Sequence, residues 1–152
     1  MYGRLDWWES MTIHALARTD VVTVDPDATI LEVATAMADN SVGSVIVTAG
    51  DEPLGIVTDR DLALDVLGVG ADPAELTARE VMTADLFTVD VDDGLFDVIR
   101  KMREEDVRRV PVVDDGVLAG IVTLDDFIVL LANELSGLAD VIQSESPPYP
   151  EP

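Results

Sequence analysis

The chain has 152 residues, 48% of them hydrophobic and only 5% aromatic, so a core must be built from aliphatic side chains in one domain or in two small halves. Thirty-one acids face nine bases for a net charge of −22, which repels nucleic acid and anionic membrane surfaces. The absence of cysteine excludes disulfides and thiolate metal sites.

In chain order, residues 1–15 form an extension without a continuous apolar core, so it does not read as a secretory signal and the cytoplasm is the expected location. Trp7 and Trp8 within it are expected to pack as a cap on the folded body. His14, the only histidine, has no acid or nucleophile placed beside it by motif and reads as structural. Residues 16–67 then carry a first set of elements. "VVTV" (Val21–Val24) is a short β-branched run. Ile30, Val33, Ala34 and Met37 fall on one helical face, with Thr29 and Glu32 at capping-box spacing. "SVIVT" and "LGIVT" read as two strands, and a helix is expected to begin near Asp59. Residues 68–80 read as a linker; their Gly-x-Gly follows a helix and lacks the third glycine of a nucleotide fingerprint.

Residues 81–142 repeat the series. "LFTV" (Leu86–Val89) is the short run. Leu95, Val98, Ile99 and Met102 form the helical face, and the opposite side offers Asp97 with Lys101 and Arg100 with Glu104 at i,i+4. The stretch Asp90–Lys101 superficially resembles a calcium loop, but Gly94 is misplaced and Lys101 stands where the bidentate glutamate belongs. "RVPVV" and "AGIVT" flank the hairpin signal Asp114–Gly116. The final helix, Leu124–Ile142, has more apolar positions than one core face needs (Phe127, Ile128, Leu130, Leu131, Leu135, Leu138, Val141 and Ile142), which predicts a homodimer. No apolar run approaches the ~20 residues of a membrane span, so no membrane is expected. Residues 143–152 are proline-rich and are expected to be disordered. The acids are spread along the whole chain rather than gathered in a tail, which predicts adaptation to high salt, where self-repulsion is screened.

The two series are an internal duplication. Sliding the chain by 65 residues lays Val21–Leu64 on Leu86–Val129 without a gap, with 14 of 44 positions identical. The phrase "GIVTDRD" (Gly55–Asp61) lies on "GIVTLDD" (Gly120–Asp126). The shared order is β-α-β-β-α, and each copy is marginal for folding alone.

These phrases, with "TVDPDATILEVATAM", "NSVGSVIV", "EVMTADLFTV" and "VRRVPVVDDGVLAGIVTLDD", resemble a tandem pair of cystathionine-β-synthase-type (CBS) domains over about Leu16 to Leu135. The resemblance implies an α/β (mixed α+β) fold of two β-α-β-β-α repeats, packed by a pseudo-two-fold into one module, two of which often form a flat dimeric disc. It implies clefts for an adenosine-containing ligand (AMP, ADP, ATP or S-adenosylmethionine), with Mg²⁺ accompanying ATP, and regulation of an attached or separate protein. No catalytic cofactor and no catalysis are expected, since no nucleophile or acid–base constellation is visible. The alternative is a structural dimerisation module with empty clefts.

Two readings of the T-x-x-D pairs, Thr58 with Asp61 and Thr123 with Asp126, stay open. A hydroxyl and an acid three residues on make a helix cap. The same groups can meet a phosphate and a ribose diol. Between them stand Asp59 and Arg60 in copy one but Leu124 and Asp125 in copy two, so Arg60 joins the first set of ligand candidates and Asp125 makes the second cleft less welcoming to phosphate. Arg108 and Arg109, an adjacent basic pair at the mouth of a strand, either bridge to acids such as Asp106 or supply a fork for phosphate. Copy one has Gly43 and Ser44 there, so the clefts are expected to be unequal.

Overall fold

The structure, a computed structural model, describes residues 11–145. The expectations for Trp7, Trp8 and the tail from Ser146 onward lie outside these residues. The chain divides into one unit running to Val122 and a second from Thr123, each described by itself.

The first unit holds two three-stranded sheets. In one, β1 (Thr23–Val24) runs parallel to β2 (Ser44–Ala49), which pairs antiparallel with β3 (Glu52–Thr58). Helix α1 (Ile30–Asn40) joins β1 to β2, and α2 (Asp59–Asp61) follows β3 and passes into a π-helical stretch, Leu62–Leu67. After a short helix α3 (Ala78–Val81), the series recurs as β4 (Val89–Asp90), α4 (Leu95–Glu104), β5 (Arg109–Asp114) and β6 (Val117–Thr123), with sheet order β4-β5-β6. The β-α-β-β-α order expected from the duplication is therefore observed twice. The β1 and β4 ladders are only two residues long, shorter than the β-branched runs implied. Helix α3 was hidden in the linker; Thr77 and Glu80 form its capping box.

The duplication is carried by the core. Ile30, Val33, Met37, Val45, Val47 and Val57 are buried, and so are Leu95, Val98, Met102, Val110, Val112 and Val122, each 65 positions on. Burying one such side chain contributes about 1.5–3 kcal/mol, so the same six positions stabilise each copy. The helix ends match too. α1 closes on Ser41 and α4 is followed by Asp106, both left-handed. The "DDG" hairpin forms with Asp115 and Gly116 both at positive φ, the geometry a two-residue primed turn requires.

The glycines of the repeated phrase have a single physical cause. The segment before copy one crosses onto copy two, and the segment before copy two crosses onto copy one. Thr12 bridges Gly94 and Arg18 bridges Ile121; in return Thr77 bridges Thr29 and Thr83 bridges Ile56. Every one of these pairs maps onto its counterpart by the 65-residue offset, a reciprocal exchange of the kind a pseudo-two-fold produces. The exchanged backbone passes over Gly55 and Gly120. A Cβ at Gly55 would stand 2.9 Å from the Thr83 carbonyl, and one at Gly120 would stand 2.7 Å from the Arg18 carbonyl. Only glycine admits so close a crossing.

The second unit carries α5 (Leu124–Glu145), 22 residues and three longer than the sequence pattern implied. By length and composition alone it reaches membrane-spanning dimensions, with mean hydropathy 1.3 in its most apolar window. The sequence reading missed this because Glu134 and Asp140 interrupt the run.

Candidate functional site: an arginine-lined cleft

The sequence places threonine at the end of β3 and of β6 and an acid three residues on, and both pairs close as capping boxes. The Thr58 N–H donates to Asp61 Oδ2 at 2.8 Å, and the Asp61 N–H donates to Thr58 Oγ1 at 3.2 Å. In the second unit the Thr123 N–H donates to Asp126 Oδ2 at 2.9 Å, and the Asp126 N–H donates to Thr123 Oγ1 at 3.3 Å. Asp126 is 7% exposed, whereas Asp61 is half-buried. The cap reading thus holds at both corners. Hydrogen bonds among the described residues engage the Asp61 carboxylate through Oδ2 alone.

Within the first unit a cleft of about 530 Å³ opens at the copy-one corner, a volume suited to a small-molecule ligand. The end of β3 and start of α2 supply Ile56, Thr58, Asp59 and Arg60. The exchanged segment supplies Thr83, Asp85, Leu86 and Phe87, and the approach to β5 supplies Glu105, Val107, Arg108 and Arg109. The structure therefore brings Thr58 and Arg60 of copy one together with Arg108 and Arg109 of copy two. Asp61 is not among the lining residues; Asp59 and Arg60 beside it are. Thr123 and Asp126 belong to the second unit.

Charge inside the cleft departs from that of the chain. Three arginines stand against Asp59, Asp85 and Glu105, a local balance in a protein of net charge −22. Among the described residues none of the three guanidinium groups makes an ion pair within 4 Å, so the bridge between the arginine pair and Asp106 does not form. The bases of α4 behave differently. Arg100 bridges Asp97 at 2.8 Å and Lys101 bridges Asp93 at 3.1 Å. These replace the Asp97–Lys101 and Arg100–Glu104 pairs expected from i,i+4 spacing, because Arg100 reaches back along the helix to i−3 and Lys101 reaches into the preceding turn. Leu86 and Phe87 are half-buried and give the cleft an apolar side.

Local packing explains why the copies differ here. Gly43 occupies the repeat position of Arg108. Its carbonyl accepts from the Asp59 N–H at 2.9 Å, and a Cβ there would stand 3.1 Å from Asp59 Oδ2. The Asp59 carboxylate fills the space a side chain at 43 would need. Reasoning from sequence missed Asp59, Asp85, Leu86, Phe87 and Glu105. Nothing local in the sequence marks them, because the cleft is completed by the crossing of the segment before β4.

The comparisons with known proteins bear on this geometry. The CBS domain family model matches residues 13–68 and again 78–133. The chain belongs to the CBS domain family. It is 37% identical over 122 residues to the CBS domain-containing protein YhcV of Bacillus subtilis, covering 80% of this chain and 86% of that protein. It is 40% identical over 121 residues to the protein MK0525 of Methanopyrus kandleri, spanning 78% of this chain but only 62% of that relative. Among solved structures, the CBS domain pair of protein MJ0100, in complex with 5′-methylthioadenosine and S-adenosyl-L-methionine, has a TM-score of 0.73 and 25% identity. The match covers 82% of this chain and 98% of that one. CBS-domain proteins are typically regulatory.

Proposed function

We propose that this chain is a regulatory module that binds an adenosine-containing metabolite in the cleft between Thr58 and Arg109 and thereby alters its assembly or its hold on a regulated protein. The observation that carries the reading is the convergence of Arg60, Arg108 and Arg109, free of ion pairs among the described residues, on one cleft of a protein with only nine bases. Unpaired guanidinium groups favour phosphate through charge-assisted, forked hydrogen bonds. A phosphorylated adenosine (AMP, ADP or ATP, the last with Mg²⁺) therefore fits ahead of S-adenosylmethionine. Leu86 and Phe87 offer the apolar side for a base; Asp61, next to the lining residue Arg60 rather than itself in the lining, is put forward as the acceptor for a ribose hydroxyl through Oδ1. No catalytic role, catalytic cofactor or resident metal enters this reading. A homodimer in the cytoplasm, away from nucleic acid and membrane, is the assembly we put forward.

A thermal-shift screen of AMP, ADP, ATP and S-adenosylmethionine tests it. Ligand at about 100 times its Kd stabilises by about 2.7 kcal/mol. A nucleotide that raises Tm supports the reading. No shift with any of the four favours the alternative, a structural dimerisation module in which the T-x-x-D pairs are caps only. The screen belongs in high salt, because we also read the acidic surface as salt adaptation. Tm should climb between roughly 0.1 and 3 M KCl as screening removes self-repulsion. A flat profile would remove that part.

A further inference from the structure

We propose that Asp59 sets how many phosphates the cleft accepts: its carboxylate admits a nucleoside monophosphate and turns away the di- and triphosphate. Such a filter presupposes that the cleft binds a phosphorylated adenosine, as proposed above. The carboxylate is pinned at one oxygen only. The Arg60 N–H donates to Asp59 Oδ1 at 2.8 Å, and the Asp59 N–H donates to the Gly43 carbonyl at 2.9 Å. Oδ2 has no hydrogen-bond partner among the described residues. It stands 3.1 Å from the point where a Cβ on Gly43 would lie, and Arg109 Nη1 stands 3.8 Å from the same point. Carboxylate and guanidinium are thus neighbours across a glycine, yet no ion pair within 4 Å joins them. At this range each still acts on any charge placed beside the other.

The charges lining the cleft give the filter its sense. Arg60, Arg108 and Arg109 face Asp59, Asp85 and Glu105, and no lysine or histidine joins them. A phosphate monoester carries about −1.5 to −2 at pH 7, a charge that an arginine fork can meet. Each further phosphate adds negative charge and more oxygens that need donors, and the lining holds no fourth cation to supply them. The added charge meets carboxylates instead, and like charges brought together at a binding surface repel. Among the described residues no three acids are grouped to hold a metal ion, so the lining brings no ready cation site to offset the extra phosphates. Asp59 is the acid that the geometry sets beside an arginine. The helix start does not demand it, because Leu124 occupies the same repeat position.

Isothermal titration of AMP, ADP and ATP into the full chain, each with and without Mg²⁺ at one KCl concentration, tests the filter. The wild type should bind AMP at least about 10-fold more tightly than ATP, with ADP between them. Asp59→Asn keeps an oxygen for the Arg60 N–H and loses the charge. It should raise ATP affinity about 10-fold and AMP affinity less, so that the ratio between them falls toward one. Asp65→Asn, exposed on the π-helical stretch and outside the lining, changes the net charge equally and should leave the ratio where it was. ATP binding to the wild type as tightly as AMP, with or without Mg²⁺, would overturn the filter while leaving a phosphorylated adenosine in the cleft. So would an unchanged ratio in Asp59→Asn, or an equal shift of the ratio in Asp65→Asn. Binding of none of the three nucleotides to the wild type or to Asp59→Asn would remove the filter together with the cleft reading on which it depends.

Discussion

At Thr58 the backbone N–H lies 2.8 Å from its aspartate; at Thr123 the same bond measures 2.9 Å. Around that shared cap the two corners part. After Asp61 the helix loosens into a π-helical stretch that ends before Gly68, whereas after Asp126 it runs on to Glu145. Arg60 stands beside the first acid and Asp125 beside the second. The core and the crossing glycines hold the duplicated backbone in register. They leave the residues between Thr and Asp, and everything after the helix start, free to diverge. One corner carries an arginine-lined cleft, and the other a long helix with an exposed apolar face.

The sharpest way to break the comparison is to attack what the corners share. Gly55→Val and Gly120→Val should each cost about 2–3 kcal/mol of stability by urea unfolding, because the new side chain meets a backbone carbonyl that cannot move aside. A neutral result at one of them would mean that the exchange there is not tight. A smaller effect separates cap from ligand contact. Asp61→Asn and Asp126→Asn should each lower stability by up to about 1 kcal/mol through the cap and helix-end charge. Only Asp61→Asn should also weaken nucleotide binding, by about 10-fold, or 1.4 kcal/mol. Equal binding losses would mean that the two corners hold ligand alike. The smallest effect concerns α3, which belongs to the crossing onto copy one. The Thr77 backbone N–H, and next its hydroxyl, donate to Glu80 and hold its carboxyl below the ordinary 4.5. A lowered folded-state pKa means that this contribution is complete above the unfolded value and fades as pH falls through the folded one. Glu80→Gln should therefore lower Tm slightly near neutral pH, and the difference should close on acidification below 4.5.

The element order, the hairpin at Asp115–Gly116 and the buried faces of α1 and α4 were legible because period-2 and period-3.6 patterns are local and the duplication wrote each twice. The capping boxes were legible for the same reason. What stayed hidden was long-range. Nothing local in "GIVT" says which backbone crosses its glycine, and so nothing placed Arg108 and Arg109 opposite Thr58 and Arg60. Arg60, Arg108 and Arg109 were expected at ligand, and they do line one cleft. Asp61 was expected in the same role; the cleft is lined by Asp59 and Arg60 beside it, and the Asp61→Asn titration decides its part. Helix α3 escaped because four residues are too few to show a period.

Isothermal titration of a phosphorylated adenosine into the wild-type chain and into Arg108→Ala with Arg109→Ala tests the cleft most directly. Hydrogen bonds to charged groups contribute about 1.5–3 kcal/mol each. The double variant should thus bind at least 10-fold more weakly, with its melting temperature unchanged, since neither arginine makes an ion pair among the described residues. Wild-type affinity retained in the double variant, or no binding of AMP, ADP or ATP to the wild type, would contradict the assignment of this cleft to a phosphorylated adenosine.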